Sequence, residues 1–376
     1  VAPRNLTSGF TEDRSYLAAC EPGRYAGAAL RKIIFKSEII MAINTLVKFI
    51  LKNPISLMLR MNKTLNEFYR AGFISTAISE GIYDVLSKGP VSVKDIQNNI
   101  GSDLDQEGLE AWLDLGVAVG ELDKKNDNYR IKSTLSNELL KPANDTWKAF
   151  FQARVEIFYD YIIKTPSFLK QNKKFDFSHS YGELFARSSR TVEPILIDVV
   201  DKIIPSNGDR RLLEVGCGSG IYIKRACDRN PNLTVTGLEL QKAVADFARE
   251  NTIIWQIDNR VTIEHIDIRQ YQSDKQFDIV TFYNLIYYFP ENERTDLLRN
   301  LGALLNPGGK LILTTLCPAN DPSIQLMNLW SSMTEGCGPL PDPGSVCDQL
   351  NNAGFDEVKF EKLIPAFYLF KARKSA

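Results

Sequence analysis

The chain has 376 residues, 44% of them apolar and 24% charged, with a formal net charge of −1. That is long enough for two domains with separate cores, and the composition is that of a globular protein rather than a disordered or fibrous one. Balanced charge provides no global field to gather nucleic acid or acidic lipid. The six cysteines (Cys20, Cys217, Cys227, Cys317, Cys337 and Cys347) show no paired metal spacing, and His179 and His265 are the only histidines. A Cys/His zinc site is therefore not expected, and no other metal site is either. Free thiols suit a reducing cytoplasm, and no basic n-region leads into an apolar core with a cleavage site.

Residues 1–40 are polar and aperiodic and read as a disordered or non-native arm, with Met41 as an alternative start. Residues 39–61 are the most apolar stretch, but Lys48, Lys52 and Pro54 interrupt it, so it falls short of the roughly 20 apolar residues a membrane span needs. A helix packed on a second subunit is the favoured reading over membrane contact. Residues 41–140 then read as one helical domain ending in a hairpin. Apolar residues from Leu65 to Leu86 recur at helical spacing and stop at Gly89-Pro90. Ser92 caps a short helix over Val93–Asn99, and Leu109 to Val119 gives a third helix closed by Gly120. The run from Leu122 to Lys132 is strand–turn–strand, with its turn at Lys125–Asn128. Helices followed by a β-wing are a winged-helix order. Duplex binding is nevertheless not expected, because the third helix region carries Asp103, Asp105, Glu107, Glu110 and Asp114 where phosphate contacts need basic side chains.

Residues 141–205 are helical and aromatic, with Phe158, Tyr159 and Tyr161 prominent, and end in the linker Pro205–Asp209. From residue 206 onward strands and helices alternate, which predicts an α/β domain with a Rossmann-like, mostly parallel seven-stranded sheet and an antiparallel last strand. The predicted strands are Arg211–Val215, Thr234–Leu238, Val261–His265, Phe277–Phe282 and Lys310–Leu316, followed by a hairpin of Asp356–Leu363 and Ala366–Arg373. Ligands of such sheets bind beyond the carboxyl ends of the strands. The first strand runs into Glu214-Val-Gly216-Cys-Gly218-Ser-Gly220, a turn dense enough in glycine for backbone N–H groups to close on a ligand. A dinucleotide fingerprint would need its third glycine at 221, which is Ile221.

The spacing Glu-x-Gly-x-Gly-x-Gly resembles motif I of the class I S-adenosylmethionine-dependent methyltransferases. Leu305-Asn-Pro-Gly-Gly and Ala353-Gly-Phe resemble later signatures of the same family. The stretches Gly81-Ile-Tyr-Asp-Val-Leu, Gly89-Pro-Val-Ser-Val-Lys-Asp-Ile and Asp127-Asn-Tyr-Arg-Ile are similar to the N-terminal winged-helix dimerisation domain of the small-molecule O-methyltransferases. The resemblance implies a homodimer, a small-molecule acceptor and S-adenosyl-L-methionine as cofactor. It assigns the cofactor to Glu214, Gly216, Gly218, Gly220, Glu239, Leu240, Asp267, Ile268 and Asn284. Glu239 would take the ribose, and Asp267 with Ile268 the adenine. It also makes residues 141–205 a roof over the acceptor, with Phe158, Tyr159, Tyr161 and Tyr288 as candidate contacts. Methyl transfer from a sulfonium is an in-line displacement governed by alignment, and a base is needed only when the nucleophile is protonated. The family's base is a histidine after the fourth strand. Here Tyr287-Tyr-Phe-Pro-Glu occupies that place, leaving Tyr287 or Glu335 as candidate catalytic groups and widening the acceptor atom from oxygen to carbon or nitrogen.

Overall fold

The structure is a computed structural model that describes Phe35, residues 40–176 and residues 182–375. The expected N-terminal arm lies largely outside the described residues. Chain contacts divide the molecule into two units, residues 1–69 and 70–376.

In the first unit, helix α1 (Ile40–Lys52) ends at Asn53-Pro54, where proline cannot continue the backbone ladder. Helix α2 (Ile55–Ser79) begins directly after it and crosses into the second unit. Leu46, Phe49, Ile50 and Leu51 of α1 are all exposed. Among the described residues no single helix is long and apolar enough to cross a membrane.

The second unit opens on the end of α2 and on α3 (Ile82–Leu86), β1 (Val91–Ser92), α4 (Val93–Ile100), α5 (Gln106–Ala118), β2 (Leu122–Lys125) and β3 (Asn128–Ile131). The continuous periodicity from Leu65 to Leu86 resolves into two helices, because Gly81 takes φ +72° and breaks the run. Ser92 caps α4 by accepting the Asp95 N–H, as its sequence position predicts. The wing turns on Asn126 and Asp127, both left-handed at φ 49° and 61°, and β1 joins it as a third strand in the order β1-β3-β2. Two acids of α5 are engaged internally: Lys124 of the wing pairs with Glu110 and Asp114, and the Tyr129 hydroxyl donates to Asp114 at 2.6 Å. Phe73, Ile74, Tyr83, Ile96, Leu113 and Tyr129 fill one apolar core here.

Next come α6 (Thr134–Leu139), α7 (Asp145–Ala153), a π-helical turn over Arg154–Phe158, α8 (Tyr159–Lys170), α9 (Gly182–Ser189) and α10 (Glu193–Ile203). The remainder is β4 (Arg210–Val215), α11 (Ile221–Arg229), β5 (Leu233–Glu239), α12 (Lys242–Ile254), β6 (Val261–His265), β7 (Phe277–Tyr283), α13 (Glu291–Ala303), β8 (Leu305–Leu316), α14 (Pro322–Met333), α15 (Pro343–Asn352), β9 (Phe355–Ile364) and β10 (Phe367–Lys374). The seven strands form one sheet in the order β6-β5-β4-β7-β8-β10-β9. The first five are mutually parallel, and β10 enters antiparallel between β8 and the edge strand β9. Alternate residues of β4 and β7 supply two cores: Leu212 and Ile279 belong to one, Leu213 and Val280 to the other. Period-two alternation puts these cores on opposite faces, so the sheet is covered on both sides. The Leu305-Asn-Pro-Gly-Gly signature forms the start of β8, pairing Leu305 with Phe277 through an irregular register.

Candidate functional site

The order of the sheet reverses at β4, its strand between β5 and β7, and the glycine loop leaves from its carboxyl end. Gly216, Gly218 and Gly220 all have left-handed φ, at 67°, 54° and 80°. At Gly216 a second constraint applies, since a methyl group there would come 2.5 Å from the Leu285 side chain. At Gly218 an added methyl would meet no protein atom within 4 Å, so the loop backbone faces open space. The conformation is locked from behind, because the Gly216 and Cys217 N–H groups both donate to the Leu238 carbonyl, at 2.8 and 2.9 Å.

Glu239, the last residue of β5, accepts the Gly218 N–H at 3.1 Å on one carboxylate oxygen and the Gln241 N–H at 3.0 Å on the other. A carboxylate is thereby fixed against the glycine loop. Leu240 beside it is 62% exposed. Beyond β6, Asp267 accepts the Arg269 N–H at 2.9 Å and pairs with the Arg269 guanidinium at 3.2 Å. That guanidinium also lies 3.6 Å from Glu293 and over the Phe289 ring. Ile268 is half-buried next to Asp267.

Beneath the loop, Glu214 is 2% exposed, and one of its oxygens has no hydrogen-bond partner. The Thr281 hydroxyl donates weakly to the other, at 3.5 Å. Burial without a counter-charge pushes the Glu214 carboxyl up to about 8. The charge of Glu214 in turn adds to the burial that raises the Tyr222 and Tyr283 phenols. The Tyr283 hydroxyl and the Asn284 amide oxygen are also buried without partners. Asn284 itself stands at φ 55°, a strained conformation for a residue with a side chain, where β7 turns into the next segment. A buried acid, an orphaned amide oxygen and an open glycine-loop backbone form a cradle suited to a zwitterionic amino-acid end, with Glu239 placed for a diol. Of the residues assigned from sequence, Glu214, Asn284, Glu239 and the glycine loop thus have the chemistry that S-adenosylmethionine calls for.

The stretch from Asn284 to Tyr288 borders a second region. Leu285 packs against Gly216, and the following turn carries Tyr287 and Tyr288. The Tyr287 and Tyr288 rings stack 5.1 Å apart, and both meet Trp330 edge-on, at 6.3 and 5.5 Å. Phe158 lies 6.3 Å from Trp330, and Tyr161 stacks on Phe175 at 3.9 Å while bonding Thr334 at 3.0 Å. The structure thus gathers Phe158, Tyr161, Tyr287 and Tyr288 into one aromatic cluster with Met333, Cys337 and Leu340. Tyr159 is 38% exposed and stands outside it, turned off the face that carries Phe158 and Tyr161.

The two candidate catalytic groups sit in different settings. Burial pushes the Tyr287 phenol above its ordinary range, so in the free protein it is protonated at neutral pH. Glu335 is exposed, on a segment tied to the roof by a bridge between Phe175 and Thr334. His265 is exposed at the end of β6, and His179 lies outside the described residues. Sequence reasoning missed Trp330, Phe175, Phe185, Tyr222 and Tyr283. Only Tyr222 and Tyr283 offered a local signal, through their nearness to the glycine loop and to a strand end.

Fold and site together define a Rossmann-like α/β domain of the methyltransferase type with a helical N-terminal extension. Residues 213–311 match the family model of a methyltransferase domain. Among solved structures, the mitomycin 7-O-methyltransferase MmcR superposes with a TM-score of 0.71 at 17% identity, covering 85% of this chain and 98% of its own. Human N-acetylserotonin methyltransferase, solved in complex with S-adenosylmethionine, superposes with a TM-score of 0.63 at 16% identity, covering 86% of this chain and 99% of its own. The ubiquinone biosynthesis O-methyltransferase of Coxiella burnetii (strain Dugway 5J108-111) is 27% identical over 125 residues, 33% of this chain and 51% of that protein. The chain thus spans about half the length of this curated relative.

Proposed function

We propose that this chain is an S-adenosylmethionine-dependent methyltransferase acting on a small, flat acceptor of the natural-product kind, with O-methylation favoured over C- or N-methylation. The observation that carries the reading is the position of Asn284–Tyr288. This single stretch packs against the glycine loop through Leu285 and joins the aromatic cluster through Tyr287 and Tyr288. Cofactor cradle and acceptor wall are therefore neighbours.

Bound there, the cofactor would supply an activated methyl group on a sulfonium. Glu239 holds the ribose end, and its hydrogen bonds to Gly218 and Gln241 preset its orientation. Glu214 and Asn284 offer unpaired oxygens to an ammonium group. Asp267, oriented by Arg269, marks the base end. The aromatic cluster excludes water and fixes the acceptor plane, and alignment of this kind is the main protein contribution to an in-line displacement. Protonated Tyr287 can donate a hydrogen bond but does not remove a proton, so the acceptor arrives as a nucleophile that needs no histidine base. The reading further takes residues 41–140 as a winged-helix dimerisation module in a cytoplasmic homodimer that does not bind nucleic acid. The exposed apolar residues of α1 and the absence of basic residues from α5 support it.

Calorimetry with S-adenosylmethionine is the direct test. Micromolar binding that is lost in Gly218→Val and Glu239→Ala is the expected result. No binding by the parent protein, or binding that survives both changes, would overturn the proposal.

A further inference from the structure

Three fully or partly buried arginines are committed to acceptors. Arg294 donates to the Phe289 and Pro339 carbonyls at 3.0 and 2.6 Å. Arg70 bonds Glu121 at 2.5 Å, and Arg187 grips Asp145 with two N–H groups. Arg154 differs from all three. Its Nε is buried without a hydrogen-bond partner, and among the described residues no carboxylate pairs with it. Burial alone acts on its charge and draws it down to about 10, still fully cationic at neutral pH.

What holds Arg154 is a pair of rings. Its guanidinium sits 4.2 Å from the Phe150 centroid and 4.3 Å from the Phe158 centroid. The three residues are spaced by four along the chain, and Arg154 opens the π-helical turn that Phe158 closes. Turns of this kind frequently interrupt helices at functional sites. Stacking consumes the faces of a guanidinium and leaves its N–H edge free, the edge that matches a carboxylate with two parallel hydrogen bonds. Phe158 is also a wall of the aromatic cluster, stacked on Phe185 at 5.6 Å and next to Trp330. The cation and the proposed acceptor wall therefore share one ring.

We propose that Arg154 anchors a carboxylate carried by a flat acceptor in the aromatic cluster. The proposal rests on the methyl-transfer reading and names the acceptor class for it. An uncommitted cation between aromatic rings is costly in the free protein, and a planar anion relieves that cost by satisfying the N–H edge.

The test uses the full chain with 2-naphthoate and its neutral counterpart 2-naphthamide, titrated with and without saturating S-adenosylhomocysteine. Naphthoate is expected to bind about 10–100-fold more tightly, the range of one buried charge-assisted pair. Arg154→Gln should abolish that preference while leaving naphthamide and S-adenosylhomocysteine affinities in place. Arg154→Lys should keep part of it, since charge remains but the fork is lost. Equal affinity of the two probes for the parent protein overturns the assignment without any variant, as does a preference that survives Arg154→Gln. If Arg154→Gln proves unfolded by its melting curve, the parent comparison and Arg154→Lys decide. Failure of S-adenosylhomocysteine to bind overturns the methyl-transfer reading instead, and the probe comparison without it still judges Arg154.

Discussion

The glycine loop and the aromatic cluster lie on either side of Asn284–Tyr288 and are specified in opposite ways. The loop is defined by backbone: three left-handed glycines, N–H groups turned onto Leu238 and Glu239, and a carboxylate held by main-chain donors. The cluster is defined by side-chain surface drawn from the helical roof, the turn after β7 and α14. A backbone-defined site tolerates few residue types at each position, because a Cβ or a change of φ destroys it. A surface-defined site accepts many aromatic combinations, which is how one cofactor domain can serve many acceptors.

If that contrast holds, the largest effect belongs to Gly216→Val. It combines an unfavourable φ, roughly 1–2 kcal/mol for a residue with a side chain, with a clash against Leu285. S-adenosylmethionine binding measured by calorimetry should disappear. Trp330→Ala removes a fully buried ring shared by Phe158, Tyr287 and Tyr288. It should cost about 3–5 kcal/mol of stability in denaturant melts, while the folded fraction keeps its cofactor affinity. Loss of cofactor binding by folded Trp330→Ala would break the separation between the two regions.

Glu214→Gln should produce an intermediate effect that depends on pH. The carboxyl lies at about 8 in the folded protein against 4.5 for the ordinary group. The folded state thus holds a proton that the unfolded chain releases. Stability from this group is complete below pH 4.5 and falls, by up to about 1.4 kcal/mol per pH unit, until pH 8. In cofactor-free melts the Gln variant should gain on the parent protein as pH rises from 5 to 8. An unchanging difference would show that Glu214 is not the buried acid inferred here. The smallest effect is expected for Tyr287→Phe, which keeps both ring stacks. Turnover followed by S-adenosylhomocysteine release should change less than about tenfold, the scale of one modest hydrogen bond.

The same contrast explains what the sequence revealed. The strands from Arg210 to Leu316 and the glycine loop were readable because short apolar runs, turn glycines and acids at strand ends are local signals. Glu239 and Asp267 stand at the predicted strand ends for that reason. The aromatic cluster was readable only in part. Phe158 and Tyr161 lie one helical turn apart, but Phe175, Phe185 and Trp330 arrive from distant elements, and no spacing links them. Tyr159 follows Phe158 directly, so it lies off the face that Phe158 and Tyr161 share and is more exposed than either. The break at Gly81 escaped notice because the apolar rhythm continues through it.

At the margin of the sheet, β9 runs ten residues with one side of its ladder unpaired by any described strand. An open edge of that length is a template for aggregation. Asp356, Glu357, Lys359, Glu361 and Lys362 fall along it. A second chain adding a strand there would have to bring ionised side chains of mixed sign into register and desolvate them. The charges therefore act as a guard against strand addition at this edge.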